Sequence, residues 1–99
     1  MKIDEYPTLF QFLGGYFHQD WVVDYSVPEE VIAAFKKEAS TESIRSACDE
    51  LGRAVLLIRQ GAEDPQRLLH ELGCYYDPAA DGLTVPDWLE QVRKKMECK

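Results

Sequence analysis

A pair of adjacent glycines set inside an aromatic run constrains this chain more than any other feature. Residues 9–21 read LFQFLGGYFHQDW, with Phe10, Phe12, Tyr16, Phe17 and Trp21 disposed about Gly14 and Gly15. Leu9, Phe10, Phe12, Leu13, Tyr16 and Phe17 recur at helical three- and four-residue spacing, and Pro7 suits the first turn of that helix. A glycine costs a helix interior about 1 kcal/mol relative to alanine. The pair is therefore expected to end or bend the helix and to let a second backbone approach closely. Phe10, Leu13, Phe17 and Trp21 are expected in the core, with His18, Gln19 and Asp20 bonding to backbone groups at the turn that follows.

Downstream, the sequence alternates helix starts with stops. Ser26-x-x-Glu29 has the form of a capping box with Pro28 in the first turn, and Val31, Ile32 and Phe35 supply the buried stripe. Ser40-Thr41 opens the longest element. In it Ile44, Ala47, Cys48, Leu51, Ala54, Val55 and Ile58 hold one face until Gly61 stops it. Asp64-Pro65 starts a shorter helix with Leu68, Leu69 and Leu72, closed by Gly73. Thr84-x-x-Asp87 with Pro86 starts the last, which buries Trp88, Leu89, Val92 and Met96. Strand evidence is thin: Trp21-Val22-Val23 is β-branched but short, and no Asn-Gly-type hairpin appears. The expectation is an all-α fold, a compact single-domain bundle of about five helices spanning residues 1–99. Residues 18–27 and 73–85 are left as long loops, a common location of function in compact domains.

Length and charge exclude several classes of function. A chain of 99 residues holds one modest core. The longest apolar run, Ala54 to Ile58, is far short of the roughly 18 residues that suggest a membrane span. Asp4 and Glu5 stand where a secretory signal needs apolar residues, so a cytoplasmic location is expected, with no membrane partner. The three cysteines, Cys48, Cys74 and Cys98, lack C-x-x-C spacing and fit reduced thiols better than a disulfide frame. Cys48 reads as a small core residue. A net charge of −7 disfavours nucleic acid, whose phosphates demand Lys and Arg. It suits a basic protein partner, although acidity also simply keeps a protein soluble.

Catalytic and cofactor chemistry finds little support. His18 and His70 are the only histidines, too few for a His-rich metal site, and no metal or cofactor is expected. His18-x-Asp20 could pair an imidazole with a carboxylate, but such local pairs usually serve turns. His70 falls on a helix flank. Gly14-Gly15 lacks the spacing of a phosphate-binding loop and follows no strand. Arg93-Lys94-Lys95 lies in the final turns of a helix, where cations favour the macrodipole.

Helix grammar leaves one charge pattern unexplained. Asp20, Asp24, Glu29 and Glu30 carry four negative charges between positions 20 and 30 with no Lys or Arg, interleaved with Trp21 and Tyr25. Tyr75, Tyr76, Asp77 and Asp81 repeat the pattern within residues 74–86. Aromatics among acids suit an interface facing Arg or Lys. They equally suit loops whose Trp21, Tyr75 and Tyr76 seal the core while the acids stay in water.

The opening segment resembles that of a family of contact-dependent growth inhibition immunity proteins of the CdiI type. The resemblance rests on Leu9, Phe10, Phe12, Gly14, Gly15, Tyr16, Phe17, His18, Gln19, Asp20 and Trp21, supported by Asp24, Pro28 and Glu29. It implies a cytoplasmic antidote, not an enzyme, that binds and neutralises the C-terminal toxin domain of a CdiA-like effector. Family toxins are commonly nucleases with basic clefts, so a basic partner domain, no nucleic acid and a monomeric antidote are expected. Because one family meets different toxins, the shared motif residues are expected to specify the fold. The toxin-binding surface is then expected beside them, at Asp20, Asp24, Tyr25, Glu29, Glu30, Tyr75, Tyr76, Asp77 and Asp81. A small acidic adaptor or regulator of another pathway is the alternative.

Overall fold

A computed structural model describes residues 2–98. In chain order the α-helices are α1 (Lys2–Glu5), α2 (Pro7–Tyr16), α3 (Trp21–Asp24), α4 (Pro28–Glu38), α5 (Thr41–Arg59), α6 (Pro65–Glu71) and α7 (Val85–Lys95), with a 3-10 turn at Pro78–Asp81 before the last. The described residues contain no strand. The all-α expectation holds, but the described residues form seven α-helices where about five helices were expected. The two additions, α1 and α3, are single turns too short to carry a readable apolar period. Tertiary packing supports them: Lys2 of α1 pairs with Glu63 at 2.5 Å, and Trp21 of α3 lies edge-on to Phe17 at 5.6 Å.

The helix α5 is the spine, with α2 and α7 packed along it and α4 against both of those. Ala47, Leu51, Ala54 and Val55 of α5 are buried, as are Leu68, Leu69 and Leu72 and the Trp88, Leu89, Val92 and Met96 stripe. The expected starts of three helices are in place. Ser40 accepts from the Ser43 N–H, Asp64 from the Arg67 N–H and Thr84 from the Asp87 N–H. At α4 the register differs by one residue from the Ser26-x-x-Glu29 box. Pro28, which has no N–H to lose, takes the first helical position, so Val27 is the cap and Glu30 reaches back. Glu30 Oε1 accepts from the Ser26 N–H at 2.7 Å and the Val27 N–H at 3.3 Å.

The glycine pair behaves differently from expectation in one respect. α2 continues through Gly14 and Gly15 and ends one residue later, at Tyr16, instead of stopping at the pair. The close backbone approach is present, and it offsets what glycine costs a helix. A Cβ on Gly14 would lie 3.0 Å from the Leu72 carbonyl oxygen and 3.3 Å from the Phe10 ring. Gly73, with φ +78, crosses at the same point, where its own Cβ would sit 3.1 Å from Gly14 Cα. Of the motif residues, Phe12, Leu13 and Phe17 are fully buried, while Phe10 and Trp21 pack on the core partly exposed.

Two long-range features correct or extend the sequence analysis. Cys48 and Cys98 form a disulfide across Cα atoms 5.7 Å apart, contrary to the expectation of three reduced thiols. The pairing depends on α7 lying along α5. Beyond α7 the chain reverses at Glu97 (φ 60), and the Cys98 N–H returns to the Arg93 carbonyl, which brings Cys98 back onto α5. The second feature is Glu50, a buried carboxylate in the middle of α5. Its Oε1 accepts from the Leu9 N–H at 2.8 Å and the Thr8 N–H at 3.0 Å. α2 has no side-chain cap of its own, because the residue before Pro7 is Tyr6. Glu50 therefore supplies, from another helix, the anionic cap that the N-terminus of α2 requires.

Two substitution pairs test these contacts by denaturant unfolding. Gly14→Ala drives a methyl onto an immobile carbonyl and is expected to cost about 1–3 kcal/mol. Gly15→Ala meets no atom within 4 Å and is expected to be neutral or stabilising by up to about 1 kcal/mol. Glu50→Ala strands two N–H groups and is expected to cost about 1–3 kcal/mol. Glu50→Gln keeps an acceptor and is expected to lose less.

Candidate toxin-facing surface

Both acidic, aromatic segments border one groove. α3, the start of α4 and the 3-10 turn enclose about 460 Å³, lined by Trp21, Val22, Val27, Tyr75, Asp77 and Asp81 among others. A smaller cleft of about 190 Å³ shares Val27, Tyr76 and Asp81 with it and reaches Glu29 and, at its cationic end, Lys95.

The floor is aromatic and rigid. Tyr76 is 7% exposed, and its ring centroid lies 4.9 Å from Trp88, 5.7 Å from Phe17 and 5.8 Å from Trp21. Its hydroxyl donates to Asp81 Oδ2 at 2.5 Å; burial first, and then that carboxylate, push the hydroxyl well above the usual tyrosine range. The neighbouring N–H of Tyr75 donates to the Phe17 carbonyl at 2.8 Å and ties the segment after α6 to the end of α2. Asp77 Oδ1 accepts from the Ala79 N–H and opens the 3-10 turn. Cys74 is the free thiol; it packs against the core beside the Tyr76 carbonyl, and burial pushes it up to about 12.

The side chains named from the sequence divide into two groups. Asp77 and Asp81 line the groove and Glu29 the adjoining cleft, all three exposed; Asp20 and Asp24 are exposed before and at the end of α3 and line neither, and Tyr75 is 63% exposed. Tyr25 is half-buried against the core. Tyr76 is sealed into the floor, so of the tyrosine pair only Tyr75 projects. Glu30 is exposed but spends one oxygen on the α4 cap. Among the motif residues, Tyr16 is half-buried and donates to Glu38 Oε1 at 2.6 Å; that bond first, and then burial, raise its pKa to about 12. His18 Nδ1 accepts from the Asp20 N–H at 3.1 Å, so the imidazole engages the backbone of the turn and not the Asp20 carboxylate. Gln19 is exposed beside it, and His70 is exposed on α6.

The apolar part of this surface was not legible in the sequence. Val22, Val23 and Val27 are 65%, 78% and 45% exposed, and with Tyr75 they make up most of the large exposed apolar side chains among the described residues. The signal was two consecutive β-branched residues in a segment flanked by acids, read as a trace of strand.

None of the described helices is long and apolar enough to cross a membrane. Among curated proteins, none matches this sequence. A chain in a solved structure, the crystal structure of a CdiA-CT/CdiI complex from Y. kristensenii 33638, has a similar fold with a TM-score of 0.80 and 26% identity. The similarity covers 93% of this chain and 98% of that one. Residues 5–96 match the family described as CdiI immunity protein. That span takes in the glycine pair, the Glu50 cap and both segments of the groove, and the chain belongs to the CdiI immunity protein family.

Proposed function

We propose that this chain binds and neutralises the C-terminal toxin domain of a CdiA-like effector, acting as a monomer inside the cell that makes it. The family match over residues 5–96 carries this reading, and the similarity to a chain of a CdiA-CT/CdiI complex supports it. The toxin-facing surface is the groove and its borders, with Asp20, Asp24, Glu29, Asp77 and Asp81 as its charges and Tyr75 as its exposed ring. Net charge of −7 and the absence of Lys and Arg between positions 20 and 30 fit a basic partner domain, the character of a nuclease cleft. Neutralisation is then occupancy of, or obstruction beside, that basic surface, and the antidote transforms no substrate.

Co-expression tests the reading directly. Cells carrying the effector domain encoded next to this chain are expected to survive only when the chain is present; death in both cases overturns it. The electrostatic part has its own measurement. Raising ionic strength from about 0.01 M to about 0.15 M shortens the Debye length from roughly 30 Å to roughly 8 Å and is expected to slow association at least tenfold. Reversing charge at Asp24 and Glu29 together is expected to slow association comparably while leaving Tm within about 2 °C. A fall in Tm that accompanies the loss of binding would assign these two carboxylates to the fold.

A further inference from the structure

Charge alone does not account for the groove, because Val22, Val27 and Tyr75 line it as exposed apolar side chains and exposed Val23 adjoins it in the chain. α3 is a single helical turn, yet two of its four residues are valines pointing away from the core, 65% and 78% exposed. β-branched residues are poor helix formers, so α3 gains nothing locally from Val22 and Val23. They are not part of the buried core, onto which the turn is packed by Trp21, with Phe17 at 5.6 Å and Tyr76 at 5.8 Å, and by Tyr25 just after it. Val27 stands across the groove, and Tyr75 stands at its side with its backbone fixed to Phe17. Exposed apolar side chains grouped in this way, on a backbone held from beneath, are the usual anatomy of a pre-organised contact.

The surroundings define what can cover them. No Lys or Arg occurs in residues 3–35 or 74–92, which supply the patch, its groove-lining acids Asp77 and Asp81 and the exposed Asp20 and Asp24 flanking the valines in the chain; the cation nearby, Lys95, lies in the adjoining cleft. An anionic lipid surface or a nucleic acid is repelled by those carboxylates. A second copy of the chain would bring two identical acidic surfaces together. The fitting occupant is a protein surface with an apolar socket edged by Arg or Lys.

Building on the proposed antidote function, we propose that Val22, Val23, Val27 and Tyr75 form the contact that holds the toxin domain after encounter, seated in an apolar socket whose basic border meets the surrounding carboxylates. The two parts of the surface act at different stages. The carboxylates govern how fast the partners meet, and the valines and tyrosine govern how long they stay.

The experiment measures association and dissociation rates between the full chain and the C-terminal domain of the effector encoded directly upstream. The Val22→Ser/Val23→Ser chain and, separately, the Tyr75→Ala chain are compared with the unaltered one. The valine double variant is expected to dissociate at least about thirtyfold faster and Tyr75→Ala about tenfold faster. Association is expected to stay within about twofold, opposite to the pattern for charge reversal at Asp24 and Glu29. Hydroxyl-radical footprinting of the unaltered complex gives a readout free of any folding defect, with Val22, Val23 and Tyr75 expected to be protected. If the unaltered complex forms but dissociation is unchanged in the variants, or these side chains stay as reactive as in the free chain, the inference fails and the antidote function stands. If the free chain dimerises and the valine variant does not, the patch belongs to a second copy and the inference fails. If the unaltered chain does not bind the toxin domain at all, both fall.

Discussion

The fold and its surface meet at Phe17. This side chain is fully buried, and the rings of Phe12, Trp21, Tyr76 and Trp88 pack around it with centroids 5.3–5.7 Å away. Those neighbours come from α2, α3, the segment after α6 and α7, so one ring joins four stretches of chain. Its carbonyl adds a directional bond by accepting the Tyr75 N–H. Edge-to-face contacts of this kind contribute beyond their buried area and restrict relative orientation. The groove is consequently a property of the core, with α3 and the 3-10 turn held on the same aromatic floor.

Two further constraints bring Phe17 to that position. Glu50 fixes the start of α2 by accepting two of its free N–H groups, and Gly14 lets the middle of α2 touch the backbone at Leu72 and Gly73. A helix capped at one end by α5 and in backbone contact with the end of α6 has little freedom to slide. Its last turn therefore delivers Phe17, and behind it the His18–Asp20 turn and α3, to a defined place. In this chain the aromatic and glycine residues of the opening segment thus set the platform on which the exposed residues beside them are displayed.

Most of the helical framework was legible in the sequence. Ser40, Asp64 and Thr84 cap the helices they precede because an N-cap bond spans only three residues. Gly61 and Gly73 stop helices where the chain needs a positive φ. The groove was half legible. The acids at 20–30 and 75–81 stood out as charge without compensation, but a pattern of residue types carries no statement of which aromatics turn inward. Tyr75 and Tyr76 are adjacent and alike in sequence, and opposite in exposure. Val22 and Val23 were not found, because an exposed valine and a buried one look the same in a sequence.

Local order in this chain, meaning its helices, most of their ends and its acidic character, follows from interactions between residues three or four apart or from simple sums over composition, and the sequence alone settles it. The Glu50 cap, the Cys48–Cys98 bond, the continuation of α2 through its glycines and the turn at α3 were decided by the tertiary structure. Each joins, or is held by, residues far apart in the chain. A carboxylate in mid-helix, a cysteine on an apolar stripe and a glycine in a helix acquire their roles only from what the packed chain places opposite them.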